Sequence, residues 1–107
     1  MNMFWSSDTN KKEKKHAWLK LGCLKLHYID GTTRKIYIPQ TYFLFTAVMF
    51  PYYEGEYDKD EHTNLAIECF TMDEHSTIIK DVDGVIYPLF QVKAIELDHI
   101  ILEDESL

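Results

Sequence analysis

Apolar and polar residues alternate on both sides of an Asp-Gly pair, and this pattern constrains the fold more than any other feature of the chain. The alternating apolar positions are Leu24, Leu26, Ile36 and Ile38. Side chains of a strand alternate between its two faces, and Asp30-Gly31 is typical of a tight hairpin turn. If all four apolar residues face one core, an even-numbered residue before the turn must lie opposite an even-numbered residue after it. The residue numbers of each cross-strand pair then add up to an even number. That condition predicts a three-residue loop with Gly31 in a left-handed conformation.

The strand before this turn changes the face that carries its apolar residues. Leu19 and Leu21 share one parity, whereas the leucines nearer the turn share the other, and the change falls at Gly22. A strand cannot change faces without a local irregularity. Glycine is often found at such places, so we expect a β-bulge or a sharp bend at Gly22.

The rest of the chain contains several short segments with strand character and a second turn at Asp83-Gly84. The predicted strands lie at residues 64–71, 77–80, 85–87 and 92–102. Aromatic and β-branched residues favour a buried strand at 42–50, while Thr41 as a cap would allow a short buried helix over 41–50. Residues 51–62 are expected to form a polar loop or exposed ribbon. Five to seven short strands predict a mainly β fold, a small antiparallel barrel or sandwich, with one short helix (41–50) as the open alternative.

The chain is expected to form one domain with two polar ends. Its length of 107 residues is close to the commonest domain size. Residues 1–16 combine loop-forming residues with a lysine-rich run and are predicted to be a flexible basic tail. Residues 17–103 form the single β-rich domain, and residues 104–107 form an acidic C-terminal end.

Cysteine usage and the lack of a long apolar run bear on the compartment. Cys23 and Cys69 are too few for a disulfide framework, and the first residues lack the pattern of a secretory signal. The longest apolar run, residues 42–50, is too short to span a bilayer. We therefore expect a cytoplasmic protein with reduced thiols and no membrane contact, with a single Cys23–Cys69 bridge as the alternative.

Charge is divided unevenly along the chain. Residues 1–50 carry eight basic and three acidic side chains, whereas residues 51–107 carry three basic and fifteen acidic ones, for a net charge of −7. The predicted basic contact surface consists of Lys11, Lys12, Lys14, Lys15, Lys20, Lys25, Arg34 and Lys35. Because the acidic excess opposes phosphate groups, direct binding of nucleic acid is not expected.

Tyrosines interleaved with acidic residues give the best interaction signal. The predicted partner-binding face consists of Tyr52, Tyr53, Glu54, Glu56, Tyr57, Asp58, Asp60 and Glu61. On an extended backbone, the four acids of even number would project to one side about 6.8 Å apart. Tyrosines beside carboxylates suit the recognition of lysine and arginine through cation–π contacts and charge-assisted hydrogen bonds.

Metal, cofactor and catalytic signatures are weak, so no metal, cofactor or catalytic residue is predicted. Residues 58–62 start like a calcium loop, but Thr63 stands where the loop needs glycine. Neither cysteine has a second cysteine at zinc-ligand spacing. The sequence offers two conceivable catalytic pairings, Cys69 with His62 or His75 and Asp98-His99 with an unidentified nucleophile. No neighbouring residue in the sequence orients either pairing.

Three functions follow as hypotheses. The first is a non-enzymatic protein whose acidic, tyrosine-rich face binds a basic protein surface, in its sharpest form a virus- or phage-type inhibitor that mimics DNA on a nucleic-acid-binding protein. The second is a self-assembling homo-oligomeric β module with a nucleotide or other small ligand at its subunit boundaries. The third, and the least favoured by the residues, is a small hydrolase-type enzyme.

Overall fold

The computed structural model describes residues 14–44, 48–53 and 56–104, and within them the chain is mainly β with antiparallel sheets and one α-helix. In chain order the elements are β1 (Lys14–Tyr28), β2 (Thr33–Pro39), a 3₁₀ helix (Gln40–Tyr42), β3 (Met49–Tyr53), α1 (Lys59–Cys69), β4 (Ile78–Lys80), β5 (Ile86–Pro88) and β6 (Val92–Asp104). The mainly β prediction is confirmed. The strands of the described residues do not close into a barrel.

The long strand β1 organises the larger, four-stranded sheet. β6 pairs with β1 from Ala17 to Tyr28, almost from end to end. β2 and β3 therefore follow one another along the opposite edge of β1, β3 beside its first residues and β2 beside its last ones. β4 and β5 form a separate two-stranded hairpin. Because β1 begins at Lys14, residues 14–16 belong to the sheet and not to the predicted tail, whereas residues 1–13 lie outside the described residues.

Both Asp-Gly hairpins have three-residue loops. Leu24 pairs with Ile36, so the partner numbers sum to an even value, as predicted. The Tyr28 amide donates to the Thr32 carbonyl over 2.9 Å, and Gly31 has a φ of 91°. Such a φ is unfavourable for residues with a Cβ, which explains the glycine at this position. The β4–β5 turn repeats the arrangement, with Gly84 at a φ of 86°.

The change of face in β1 does occur, but the prediction that Gly22 forms the bulge is wrong. The register between β1 and β6 shifts between Leu19 and Leu21, while pairing of β1 with β2 runs regularly through Gly22. The extra residue is therefore Lys20, whose exposed side chain needs no partner in the core. Gly22 has a packing role instead, because a Cβ at this position would lie 3.0 Å from the ring of Phe43.

The segment predicted as a strand at 64–71 is mostly helix, since α1 covers Lys59–Cys69. The alternation of Leu65, Ile67 and Cys69 suggested a strand. In the structure Leu65 and Ile67 are exposed, while His62 and Ala66, one helical turn apart, are the buried residues of α1. Helical spacing thus buries the small and aromatic side chains and overrides the period-two pattern.

The apolar segment 42–50 is neither one strand nor one helix. Its first residue ends the 3₁₀ helix, Phe43 forms an isolated bridge with Phe70, and β3 begins only at Met49. The part at residues 45–47 lies outside the described residues. The predicted polar ribbon at 51–62 is likewise divided between the end of β3 and the start of α1.

The hydrophobic core lies on one face of the larger sheet. The buried cluster consists of Leu19, Leu24, Leu26, Ile36, Ile38, Phe43, Val48, Phe50, Ala66 and Ile79. It unites residues of the sheet with α1 and β4, so these two elements cover the inner face. The other face, here called the outer face, carries the exposed side chains of Trp18, Tyr37 and Met49. Within the described part of the chain, no helix is both long and apolar enough to cross a membrane.

Candidate functional sites

Two tyrosines and a histidine pack together where β3 meets the start of α1. The rings of Tyr52 and Tyr57 are stacked with their centroids 4.4 Å apart, and His62 meets the Tyr57 ring edge-on at 5.6 Å. His62 Nε2 lies 2.7 Å from the Pro51 carbonyl oxygen, so this nitrogen carries the proton and donates it. These contacts hold Tyr57 in place although its side chain is exposed.

The carboxylate of Asp104 completes this cluster from the end of β6. The Tyr57 hydroxyl donates a hydrogen bond to Asp104 Oδ1. This bond, followed by one from the Tyr52 hydroxyl, lowers the pKa of Asp104 below its ordinary value. Desolvation and the neighbouring Asp104 in turn raise the pKa of Tyr57. Asp104 is therefore a fixed anion at neutral pH, and Tyr57 is a neutral donor.

A cleft of about 480 Å³ opens beside this cluster, between the start of α1 and the end of β6. Its lining residues are Tyr57, Lys59, His62, Ile100, Leu102 and Asp104. Ile100 and Leu102 supply an apolar floor that is continuous with the core. A second hollow of about 250 Å³ shares His62 and is lined by Tyr53, Glu56, Asp58 and Glu61, among others. We call the first of these the α1–β6 cleft.

The predicted acidic, tyrosine-rich face is only partly assembled as expected. Tyr53 and Tyr57 are exposed, but Tyr52 is 5% exposed and belongs to the core. The predicted ribbon with evenly spaced acids is wrong for residues 58–61, because the Asp58 side chain accepts a hydrogen bond from the Glu61 amide and caps α1. Asp60 and Glu61 lie in the first turn of the helix. Glu56 is exposed and pairs by its backbone with Tyr53, and Glu54 lies outside the described residues.

The predicted basic contact surface is divided between the two faces of the sheet. Lys25 and Lys35 are paired on the outer face, where Glu96 lies opposite Lys25 and Asp98 lies 3.4 Å from the Lys35 ammonium. Arg34 stands over the ring of Tyr87 at 5.7 Å, near the β4–β5 hairpin. The carboxylates beside the lysines interrupt any continuous basic patch. Lys15 and Lys20 are exposed along β1, Lys11 and Lys12 lie outside the described residues, and of Lys14 only the backbone is described.

A second cluster on the outer face contains a thiol, an imidazole and a carboxylate. Cys23 pairs with His99 across β1 and β6, and His99 Nδ1 lies 2.7 Å from Asp98 Oδ2. The potential ligand atoms of Cys23, Asp98 and His99 all lie within 4.8 Å of one another. The Tyr37 ring meets the His99 ring edge-on at 6.2 Å. Among the described residues, Cys23 is thus the thiol that lies beside Asp98 and His99.

The two histidines suggested as catalytic partners of Cys69 contact other groups. His62 bonds to Pro51, and His75 lies in the exposed connection 3.6 Å from Glu74. Cys23 and Cys69 are both free thiols. The α1–β6 cleft was missed from the sequence because Ile100, Leu102 and Asp104 are far from Tyr57 along the chain. Only the pairing of β6 with β1 brings them to α1.

No protein-family model, curated protein or solved structure matches the chain.

Proposed function

We propose that the chain is a non-enzymatic binding protein whose α1–β6 cleft and acidic surroundings bind a basic segment of another protein. The observation that carries the proposal is the position of Asp104, an anion held by the Tyr57 hydroxyl at the rim of an apolar cleft. Lysine and arginine side chains combine an aliphatic stem with a charged head. The stem fits the floor of Ile100 and Leu102, and the head fits the carboxylate.

The surroundings of the cleft supply further negative charge and an aromatic ring. Asp58, Asp60 and Glu61 are exposed at the start of α1. The Tyr57 ring offers a cation–π contact at the rim. Lys59 is the cation among the cleft residues. The long side chain of Lys59 can turn away from an incoming basic group, but its positive charge lowers the affinity of the cleft for that group. Substitution of Lys59 by a neutral residue should therefore raise the affinity.

In its sharpest form the proposal names the partner as a nucleic-acid-binding protein, which the chain inhibits by occupying the surface that binds phosphates. Small acidic proteins encoded by viruses and phages act in this way, and the net charge of −7 suits such a role. A cytoplasmic location accords with the two free thiols. The acidic residues at the start of α1 would then stand in for phosphate groups, with spacing set by the helix.

The test uses an arginine-rich peptide as the probe and a pair of variants with the same change of charge. Asp104→Lys should weaken binding about 10-fold, since a charge pair at the cleft is reversed, whereas Asp83→Lys in the β4–β5 turn should weaken it less than about 2-fold. Lys59→Gln should strengthen binding. Thermal unfolding of each variant checks that the fold is retained. Equal effects of Asp104→Lys and Asp83→Lys would show that only net charge matters and would refute the proposed site.

The edge of β6 that faces away from β1 favours a second candidate function. This candidate is a self-assembling homo-oligomer with a small ligand such as a nucleotide at its subunit boundaries. Among residues 14–44, 48–53 and 56–104, β6 pairs with β1 alone. Register shifts place extra residues at Lys93 and Asp98, and such bulges discourage pairing at an edge. The regular stretch 99–102 is therefore the part suited to a second copy. A monomer by light scattering at micromolar concentration would exclude this candidate.

A further inference from the structure

We propose that Cys23, Asp98 and His99 form a binding site for a zinc-type divalent transition-metal ion on the outer face of the sheet. The site is separate from the α1–β6 cleft, and it does not depend on the function proposed for that cleft. It unites three chemically different ligands from two strands, β1 and β6. The inference concerns residues whose spacing along the chain gives no metal signature.

A bulge in β6 is what brings the three side chains together. Adjacent residues of a regular strand point to opposite faces, so Asp98 and His99 should not share a site. The register between β1 and β6 shifts between Cys23 and Leu24, and this shift leaves Asp98 as an extra residue in β6. A bulge redirects the side chain of its extra residue. Asp98 and His99 therefore both lie on the outer face, beside Cys23.

The distances fit a small tetrahedral ion after minor side-chain rotation. Zinc binds sulfur at about 2.3 Å and nitrogen or oxygen at about 2.0–2.2 Å, so its tetrahedral ligands stand about 3.3–3.8 Å apart. The three ligand atoms here lie within 4.8 Å of one another. The contact of 2.7 Å between His99 Nδ1 and Asp98 Oδ2 must open for both to bind one ion. The side chains of Asp98 and His99 are 26% and 29% exposed, which leaves them room to move and gives the ion a path of entry.

The ligand types select the metal. A thiolate with an imidazole and a carboxylate suits zinc or cobalt, whereas magnesium and calcium prefer oxygen ligands alone. Three protein ligands leave one position for water or for a group of a partner. Binding removes the thiol proton of Cys23 to solvent. His99 binds the ion as the neutral imidazole.

Two neighbouring residues, Lys35 and Tyr37, influence the affinity of the site for a metal ion. Burial raises the pKa of Cys23, and the charge of Asp98 raises it further, although Lys35 and a hydrogen bond with the Tyr37 side chain oppose this. The negative field that holds the thiol proton also attracts a metal cation. Lys35 competes with the metal, since its ammonium lies 3.4 Å from Asp98 Oδ2. Removal of Lys35 should therefore strengthen metal binding.

The experiment is a titration of the whole chain with Co²⁺ under a non-chelating reductant, followed by displacement with Zn²⁺. We expect one equivalent of Co²⁺ to bind with the absorption band of a thiolate–cobalt bond, and Zn²⁺ to abolish the band. Cys23→Ser should remove the band, while the matched control Cys69→Ser should keep it. His99→Gln should weaken binding at least about 10-fold, whereas His75→Gln should have no effect.

Two further variants keep the outcome clear if Cys23→Ser does not fold. Asp98→Asn changes a partly exposed side chain and should weaken binding, and Lys35→Met should strengthen it about 3-fold, because loss of the exposed ion pair frees Asp98. Damage to the fold would not tighten binding, so this gain is diagnostic. The proposal is overturned if the natural chain shows no thiolate–cobalt band, or if His99→Gln and Asp98→Asn bind as the natural chain does.

Discussion

The Tyr57 hydroxyl donates a hydrogen bond to Asp104 Oδ1 and thereby ties the residue that precedes the cap of α1 to the last residue of β6. The two residues are 47 positions apart in the chain. Tyr57 also stacks on Tyr52 of β3, so three elements meet at this one bond. The same contact fixes the anion of the α1–β6 cleft, which makes it both a structural link and part of the candidate site.

Acid should weaken the fold through Asp104. The folded-state pKa of Asp104 is lowered, first by Tyr57, so its stabilisation is present above the unfolded pKa of about 3.9 and is lost as pH falls through the folded value. Between pH 6 and pH 3, Tyr57→Phe and Asp104→Asn should each lose less stability than the natural chain. Urea unfolding across this range measures the difference. An equally steep loss in all three chains would contradict the role of the bond.

The Asp58 cap should stabilise α1 more than the charge of Asp60 does. The Asp58 carboxylate accepts the Glu61 amide over 3.1 Å, whereas Asp60 contributes only its charge in the first turn. Asp58→Ala should lower the free energy of unfolding by about 1 kcal/mol, and Asp60→Ala by less than about half of that. Chemical denaturation of both variants gives the comparison. A larger loss in Asp60→Ala would mean that the cap does not hold the helix.

The buried face of α1 can be tested by placing a charge on adjacent residues. Ala66 is fully buried, and Ile67 is 49% exposed. Ala66→Asp should lose several kcal/mol or fail to fold, since a buried carboxylate without a partner is costly, while Ile67→Asp should change stability by less than about 1 kcal/mol. Thermal unfolding distinguishes the two. The opposite order would favour the strand that the sequence predicted.

A larger residue at position 22 should destabilise the fold because it contacts the Phe43 ring, and not because of the backbone conformation of Gly22. A Cβ at Gly22 would lie 3.0 Å from the Phe43 ring, so Gly22→Ala should cost about 1–3 kcal/mol through overpacking. Phe43→Leu makes space, and the double variant should therefore lose less than the sum of the two single losses. A double-mutant cycle in urea measures this coupling. Strict additivity would show that the ring is not the obstacle.

The hairpins and the helix differ in how far neighbouring residues could predict them. Gly31 and Gly84 take a positive φ within their own loops, so the turn and its parity follow from residues that are adjacent in sequence. The sequence predicts a strand in place of α1, although Asp58 and Glu61 have the spacing of a helix cap. The alternation of Leu65 and Ile67 obscured it. The structure resolves the conflict by burying His62 and Ala66 against the core.

The sequence by itself determined a mainly β chain, the two Asp-Gly hairpin turns, the three-residue loop of the first and an acidic second half, because these properties depend on local conformation and on charge count. The tertiary structure alone decided which residues meet at the two sites. Asp104 reaches Tyr57, and His99 reaches Cys23, only through the register and bulges of β6 along β1. That register is set by burial of the whole core at once, and no local spacing encodes it.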